Sequence, residues 1–297
     1  MKRGRATCAV PAGNELGEGL VWDARAQALY WTDIRAARLW CWTPATGATQ
    51  TWNLPEPLAC FALCEDERWL LLGLASRLAF FNLRDGRCVP ICEIEPGLAT
   101  RVNDGACDRE GRFVFGTKHE PADGGASQPV GAFYRLDADL SLHRLDVGNI
   151  AIANGTAFSP DGRTLYFCDS PTRTLRCCDY TRAGNAIDVR EFARLDIATG
   201  EPDGSTVDAE GGVWNAQWDA GRMVRYAPDG TFDTLIEVPV HRPTRPALGG
   251  ADLRTLYVTS AGTADTPDFR TDQDGHVFAV SVDIPGLPEP RFRGAPP

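Results

Sequence analysis

The sequence predicts an all-β chain closed into one six-bladed β-propeller domain spanning residues 1–297, and three observations predict it. Short apolar, β-branched and aromatic runs recur between turn signals such as "SPDGRT", "APDGT" and "DAEGG". No long stretch carries a helical period. One turn-then-strand unit is written six times along the chain, giving a period of roughly 50 residues, the length range of a four-stranded propeller blade.

The first unit is "RAQALYWTDI" (25–34), continuing into a second strand at "RLWCWTPATG". The second is "DERWLLLGLA" (66–75). The third, "EGRFVFGTKH" (110–119), continues as "GAFYRLDADL"; between them "EPADGGASQPVG" has the Gly and Pro of an exposed insertion. The fourth is "DGRTLYFCDS" (161–170) with "TLRCCDYTRAG", the fifth "EGGVWNAQWD" (210–219) with "GRMVRYAPDG", and the sixth "DLRTLYVTSA" (252–261). Blades exclude water by packing their faces on one another, so the scattered Trp and Phe residues are expected in the core. Ring closure needs a terminal strand to complete the blade from the other end, and the segment near Thr7 to Val10 is the candidate.

With 297 residues and 43% hydrophobic content the chain can bury a large core. A formal charge of -10 argues against nucleic acid or an anionic membrane as partner. The start "MKRGRATCAV" lacks the apolar run of a secretory signal, and no stretch reaches membrane-spanning length, so a cytoplasmic location is expected. In a reducing compartment the 10 cysteines read as small buried apolar residues. Cys177 and Cys178 are adjacent on one strand and so point to opposite faces, which excludes a shared metal.

Superposing the six strand cores, with one residue of slack for shorter turns, brings one upstream position into register between blades. Its occupants are Glu18, Cys60, Asn103, Asn154, Asp203 and Arg245. Four of these are a carboxylate or amide followed by Gly within two residues. Equivalent positions lie at one height around a propeller channel, so these groups are expected to converge there, with the glycines letting backbones approach closely. Two carboxylates brought together in a water-poor funnel repel each other and are costly to bury. A divalent cation offsets both costs. Oxygen donors without a His or Cys set favour Ca²⁺, Mg²⁺ or Mn²⁺, and Zn²⁺ also accepts carboxylates. The histidines share no metal-ligand spacing, and Ser205 and Ser170 lack a nucleophile context.

Longer stretches around these residues resemble the SMP-30/gluconolactonase/LRE family, which includes regucalcin and bacterial sugar-lactone lactonases. "LGEGLVWD" is similar to the family's GEGP-x-W opening, with Leu20 where Pro is usual, and "RVNDGACDREGRFVFGT" to its R-x-NDG-x-x-D-x-x-GR-x-x-x-GT segment. "NGTAFSPDGRTLYFCDSPTRTL" and "PDGSTVDAEGGVWNAQWDAGRMVRYAPDG" resemble two further segments, so the likeness covers nearly the whole chain. The resemblance implies a six-bladed propeller with one divalent metal held by Glu18, Asn154 and Asp203, the three that phase also selects. It further implies that Arg101 and Asn103 contact substrate, which moves Asn103 from metal ligand to substrate contact.

The expected activity is hydrolysis of a sugar lactone, a small-molecule partner, to its aldonic acid. The metal polarises the carbonyl and activates water, with Asp203 as general base. The sequence departs from the family at "GTKHEPADGG", where Lys118 replaces a usual Met and the nearest acid is Glu120. Glu120 is therefore the candidate for the family's acidic substrate contact, His119 a further one because its loop borders the mouth, and Lys118 is expected to face solvent or else to attract an acidic substrate. In "PTRPALGG" Arg245 departs from the commoner PTSCAFGG and reads either as a substrate contact or as a structural ion pair. Two other enzyme or binding readings stand beside lactone hydrolysis: a calcium-binding regulatory propeller, and a metal-dependent esterase or phosphotriesterase on the same scaffold. A protein-interaction propeller is the remaining alternative.

Overall fold

A computed structural model describes residues 2–195, 200–262 and 271–297. After two short strands, β1 (Lys2–Arg5) and β2 (Thr7–Val10), the described chain lays down sheet after sheet in sequence order. Blade 1 is β3 (Gly17–Asp23), β4 (Ala28–Asp33), β5 (Arg38–Thr43) and β6 (Ala48–Asn53). Blade 2 is β7 (Leu58–Leu63), β8 (Trp69–Leu74), β9 (Arg77–Asn82) and β10 (Cys88–Glu93). Blade 3 holds β11 (Thr100–Cys107), β12 (Phe113–His119), β13 (Phe133–Leu136) and β14 (Leu142–Arg144). Blade 4 holds β15 (Ala153–Phe158), β16 (Thr164–Asp169), β17 (Thr174–Tyr180) and β18 (Ala186–Arg194). Blade 5 is β19 (Glu201–Val207), β20 (Val213–Trp218), β21 (Arg222–Tyr226) and β22 (Phe232–Glu237); blade 6 supplies β23 (Pro243–Gly249), β24 (Thr255–Ser260) and β25 (Val277–Ser281). Each blade's first strand contacts the first strand of the next, and β23 returns to β3, so the sheets form a closed ring.

The ring is sealed by the predicted segment. Strand β2 pairs antiparallel with β25, Thr7 opposite Ala279 and Cys8 opposite Phe278, and becomes the fourth strand of blade 6. A second tie has no counterpart in the sequence reading: β1 runs parallel to β22 and adds a fifth strand outside blade 5. The C-terminal tail crosses the opposite face of the ring. Its backbone bonds reach blade 5 at Ala209, blade 6 at Leu253, blade 2 at Leu63 and Glu65, and blade 3 at Gly111.

Between neighbouring blades lie separate apolar layers, as alternation on each strand requires. Phe61, Leu70 and Leu72 of blade 2 meet Tyr30 and Leu39 of blade 1, while Trp69, Leu71 and Phe80 on its other face meet Phe113 and Phe115 of blade 3, with Phe292 of the tail inserted among them. Trp22 and Trp31 of blade 1 pack against Ala247, Tyr257 and Val277 of blade 6. Cys178 joins the layer between blades 3 and 4, whereas Cys177 joins the layer between blades 4 and 5; the two thiols do face opposite ways. All 10 cysteines are unbridged.

What positions the site is a repeated irregularity. Every first strand gains one residue over its partner near the same end: the pairing skips between Glu18 and Val21, Leu58 and Cys60, Val102 and Gly105, Asn154 and Ala157, Pro202 and Ser205, and Pro243 and Pro246. Such a β-bulge releases residues from the ladder and re-aims their side chains. In Gly19 and Gly155 the bulge takes a positive φ, 57° and 70°, a conformation that a side chain disfavours.

Candidate active site

At the mouth of the channel lies a cavity of about 290 Å³. Glu18, Arg101, Asn103, Asn154 and Asp203 all line it, drawn from four blades. Their register corrects the single-phase expectation. Glu18 and Asn154 are the last paired residues before the bulge, opposite Thr32 and Cys168; Asn103 and Asp203 are the first residues inside it; Arg245 is the second. The residues occupy three successive positions, and the bulges bring them to one place. The expected role of glycine holds at Gly204, where a Cβ would stand 2.5 Å from Arg245 Cδ and 2.9 Å from the Thr244 carbonyl oxygen.

A chain of hydrogen bonds runs across three blades. Arg101 Nε donates to Glu120 Oε1 at 2.7 Å, and Arg101 Nη1 to Asn103 Oδ1 at 2.8 Å. Asn103 Nδ2 donates to Asn154 Oδ1 at 3.0 Å, Asn154 Nδ2 to Ser170 Oγ at 2.9 Å, and Ser170 Oγ to the Pro202 carbonyl at 2.8 Å. The amide oxygen of Asn154 keeps a second lone pair. The next residue, Asp203, is buried, and its Oδ1 has no hydrogen-bond partner.

The electrostatics match that geometry. Burial and the nearby Asp104 charge push Glu18 up to about 8 against the opposing pull of Arg245. Burial, then Glu18 and Asp104, raise Asp203 well above the ordinary carboxylate range. Beneath them Arg245 Nη1 donates to Asp104 Oδ1 at 2.6 Å, Arg245 Nη2 reaches the Thr156 carbonyl at 3.3 Å, and Thr156 N donates to Asp104 Oδ2 at 2.7 Å. Of the two readings for Arg245, the ion pair is the one observed. Below it the channel narrows to a void of about 30 Å³ shared by Ser205, Arg245 and Glu289, where the C-terminal tail closes the far end.

His119 does not join the predicted set. Alternation on β12 turns Lys118 toward the cavity and His119 away, where His119 Nδ1 accepts a bond from the Gln128 amide at 3.0 Å. Lys118 lines the cavity, which corrects the solvent-facing reading of it, and burial together with Arg101 lowers its pKa to about 8. Glu120 stands at the exposed rim and reaches the site through Arg101. Three contributors have no site role in the sequence reading: Ser170 and Trp218, which line the cavity, and Asp104, which holds Arg245 beneath it. The adjacent polar letters of "NDG" were the only available signal for Asp104, since a bulge presents successive residues to one side.

Two larger clefts, of about 360 and 640 Å³, lie elsewhere. Their charged side chains largely pair with one another, as Arg291 does with Asp23 and Arg112 with Asp108. The channel cavity brings together two carboxylates of raised proton affinity, one of them with an unpartnered oxygen, which marks a functional site. No three His, Cys, Asp or Glu side chains form a metal cluster among the described residues. The available set is two carboxylates and an amide oxygen. A bare buried carboxylate oxygen beside a second raised carboxylate fits a hard divalent cation, and three protein donors leave its shell open to water and ligand.

A ring of six sheets whose bulged inner strands send polar groups into one funnel defines a propeller with a channel-mouth site. Residues 16–262 match the family model described as the SMP-30/gluconolactonase/LRE-like region, and the chain belongs to this family. It is 48% identical over 296 residues to an L-arabinolactonase from Azospirillum brasilense, covering 99% of this chain and 97% of that one. It is 38% identical over 295 residues to a 6-deoxy-6-sulfogluconolactonase from Pseudomonas putida, covering 97% and 98%. A crystal structure of the calcium-binding protein regucalcin from Agrobacterium tumefaciens superposes with a TM-score of 0.90 at 29% identity over 99% of both chains.

Proposed function

We propose that the protein is a hydrolase of sugar lactones that opens the ring ester to the aldonic acid with the help of one divalent metal ion. The observation that carries this reading is the meeting of Glu18, Asn154 and Asp203 with Arg101 and Asn103 in one cavity. An ion store needs the first three; a substrate clamp explains the other two. The lactonases to which the chain is similar at 48% and 38% identity supply the substrate class.

Glu18, Asn154 and Asp203 would hold the cation, which when bound supplies Lewis acidity toward the ester carbonyl and lowers the pKa of water. Asp203 takes the proton of the attacking water on Oδ1, the oxygen that no protein group occupies. Arg101 and Asn103 orient the substrate's ring oxygens and hydroxyls, their own angles fixed by Glu120 and by the Ala153 carbonyl, which accepts from Asn103 Nδ2 at 2.7 Å. Ser170 fixes Asn154 from behind.

Proton release from a panel of aldono-lactones, corrected for spontaneous hydrolysis, tests the reading on chelator-treated protein and after restoring Ca²⁺, Mg²⁺, Mn²⁺ or Zn²⁺ in turn. Turnover should disappear on chelation, return with metal, and fall by roughly 100-fold or more in Asp203→Asn. Cation binding without any lactone turnover would leave a metal-binding propeller in place of an enzyme.

A further inference from the structure

Lys118 is costly to the fold, and its contacts among the described residues, a long ion pair to Glu120 and the attraction of Asp203, leave its hydrogen-bond donors unfilled. On β12 it stands directly opposite Arg101 of β11, so two cations face each other across the ladder, a pairing that destabilises a sheet. Both side chains enter the same cavity, and Lys118 is only 23% exposed. Glu120 is the carboxylate within ion-pair reach of both, and Asp203 attracts Lys118 from within the cavity. Glu120 Oε1 already accepts Arg101 Nε at 2.7 Å and lies 3.8 Å from Lys118 Nζ, beyond hydrogen-bond length. The ammonium therefore keeps its donors unspent toward the cavity. A divalent cation held by Glu18, Asn154 and Asp203 would take up the charge of Asp203 and repel the ammonium, so those donors serve oxygens of the organic ligand. An unbranched apolar side chain such as Met would fill the position at less electrostatic cost, and local conflicts of this kind are retained at functional sites.

We propose that Lys118 is a specificity-determining residue, its ammonium donating to an oxygen on the substituent that the lactone carries outside its ring. The assignment rests on the lactonase reading and deepens it: the favoured substrate is a lactone with an oxygen-bearing exocyclic group, hydroxyl or anionic, in place of a bare ring.

The test compares wild type with Lys118→Met and Lys118→Arg on a pentono-1,4-lactone, a hexaro-1,4-lactone ending in a carboxylate, and unsubstituted γ-butyrolactone. Binding of the open-chain pentonate is measured by calorimetry in the same series. Lys118→Met should raise KM for the substituted lactones about 10-fold or more, the worth of a charge-assisted hydrogen bond, while kcat changes little and γ-butyrolactone is unaffected. Lys118→Arg should recover most of the loss. A larger effect on the carboxylate-bearing lactone identifies an anionic terminus as the preferred acceptor; equal effects identify the hydroxyl. Uniform changes across all three lactones, or a fall in kcat at constant KM, would overturn the assignment. If wild type turns over none of them the lactonase reading fails, and pentonate binding still decides Lys118: an affinity that is undetectable in wild type or unchanged by Lys118→Met refutes its role.

Discussion

Replacing Arg245 by Met isolates what the ion pair beneath the site contributes. Arg245 and Asp104 are 8% and 5% exposed in their side chains, and their 2.6 Å contact joins blades that are 141 residues apart in sequence. Without the guanidinium, Asp104 keeps only its bond from the Thr156 amide and carries a buried charge beside Glu18 and Asp203 without its ion-pair partner. Removing one partner of a buried pair costs about 3–5 kcal/mol. An unfolding entropy of about 2.1 cal/mol/K per residue over 297 residues gives about 0.6 kcal/mol/K, so the melting temperature should drop by about 5–8 °C. Differential scanning calorimetry at neutral pH on chelated protein reads this directly. Converting Asp104 to Asn in the same molecule removes the stranded charge while keeping an acceptor for Thr156, and should recover most of the loss. A drop below about 2 °C, or a double variant less stable than the single one, refutes the claim that charge balance rather than packing explains Arg245.

Two further outcomes follow from the same site. Glu18 rises from 4.5 to about 8 in the fold and Asp203 rises in the same direction, so the folded chain binds these protons more tightly than the unfolded one; in chelated protein the Glu18 contribution is complete below about pH 4.5 and is lost as pH climbs to about 8. A divalent cation that replaces the protons should then raise the melting temperature more at pH 8 than at pH 5.5, and Glu18→Gln should flatten both slopes; a melting temperature indifferent to metal at pH 8 contradicts the ligand set. Ser170→Ala removes the hydroxyl that joins Asn154 Nδ2 to the Pro202 carbonyl and should weaken cation affinity by roughly 10-fold in a calorimetric titration, as loss of a ligand's supporting bond does; unchanged affinity would separate Asn154 from the metal.

The blades and much of the cavity were legible because both are written in repeating letters. Turn signals and alternating apolar residues mark every inner strand, and Glu18, Asn103, Asn154 and Asp203 stand beside glycines that a bulge or a close approach demands. The bulge itself was not legible. An extra residue is defined by what lies across the ladder, so the sequence offset between Asn154 and Asp203 passed for turn length, and Asp104 and Arg245 were not recognised as a pair. Lys118 and His119 illustrate the same limit: alternation says that one faces inward, but only the register of β12 against β11 says which. The outer tie made by β1 was unreadable for another reason, since "KRGR" has none of the apolar alternation that marks a buried strand.

Because the inner strands loosen their grip on the neighbouring strand at the same height in all six sheets, the letters that face the ligand are excused from the ladder that builds each blade. Chemistry can be rewritten there while the apolar layers that fix the architecture go unread by the change. A scaffold of this kind separates its grammar from its vocabulary, and related chains can share one shape while differing in the lactone they recognise.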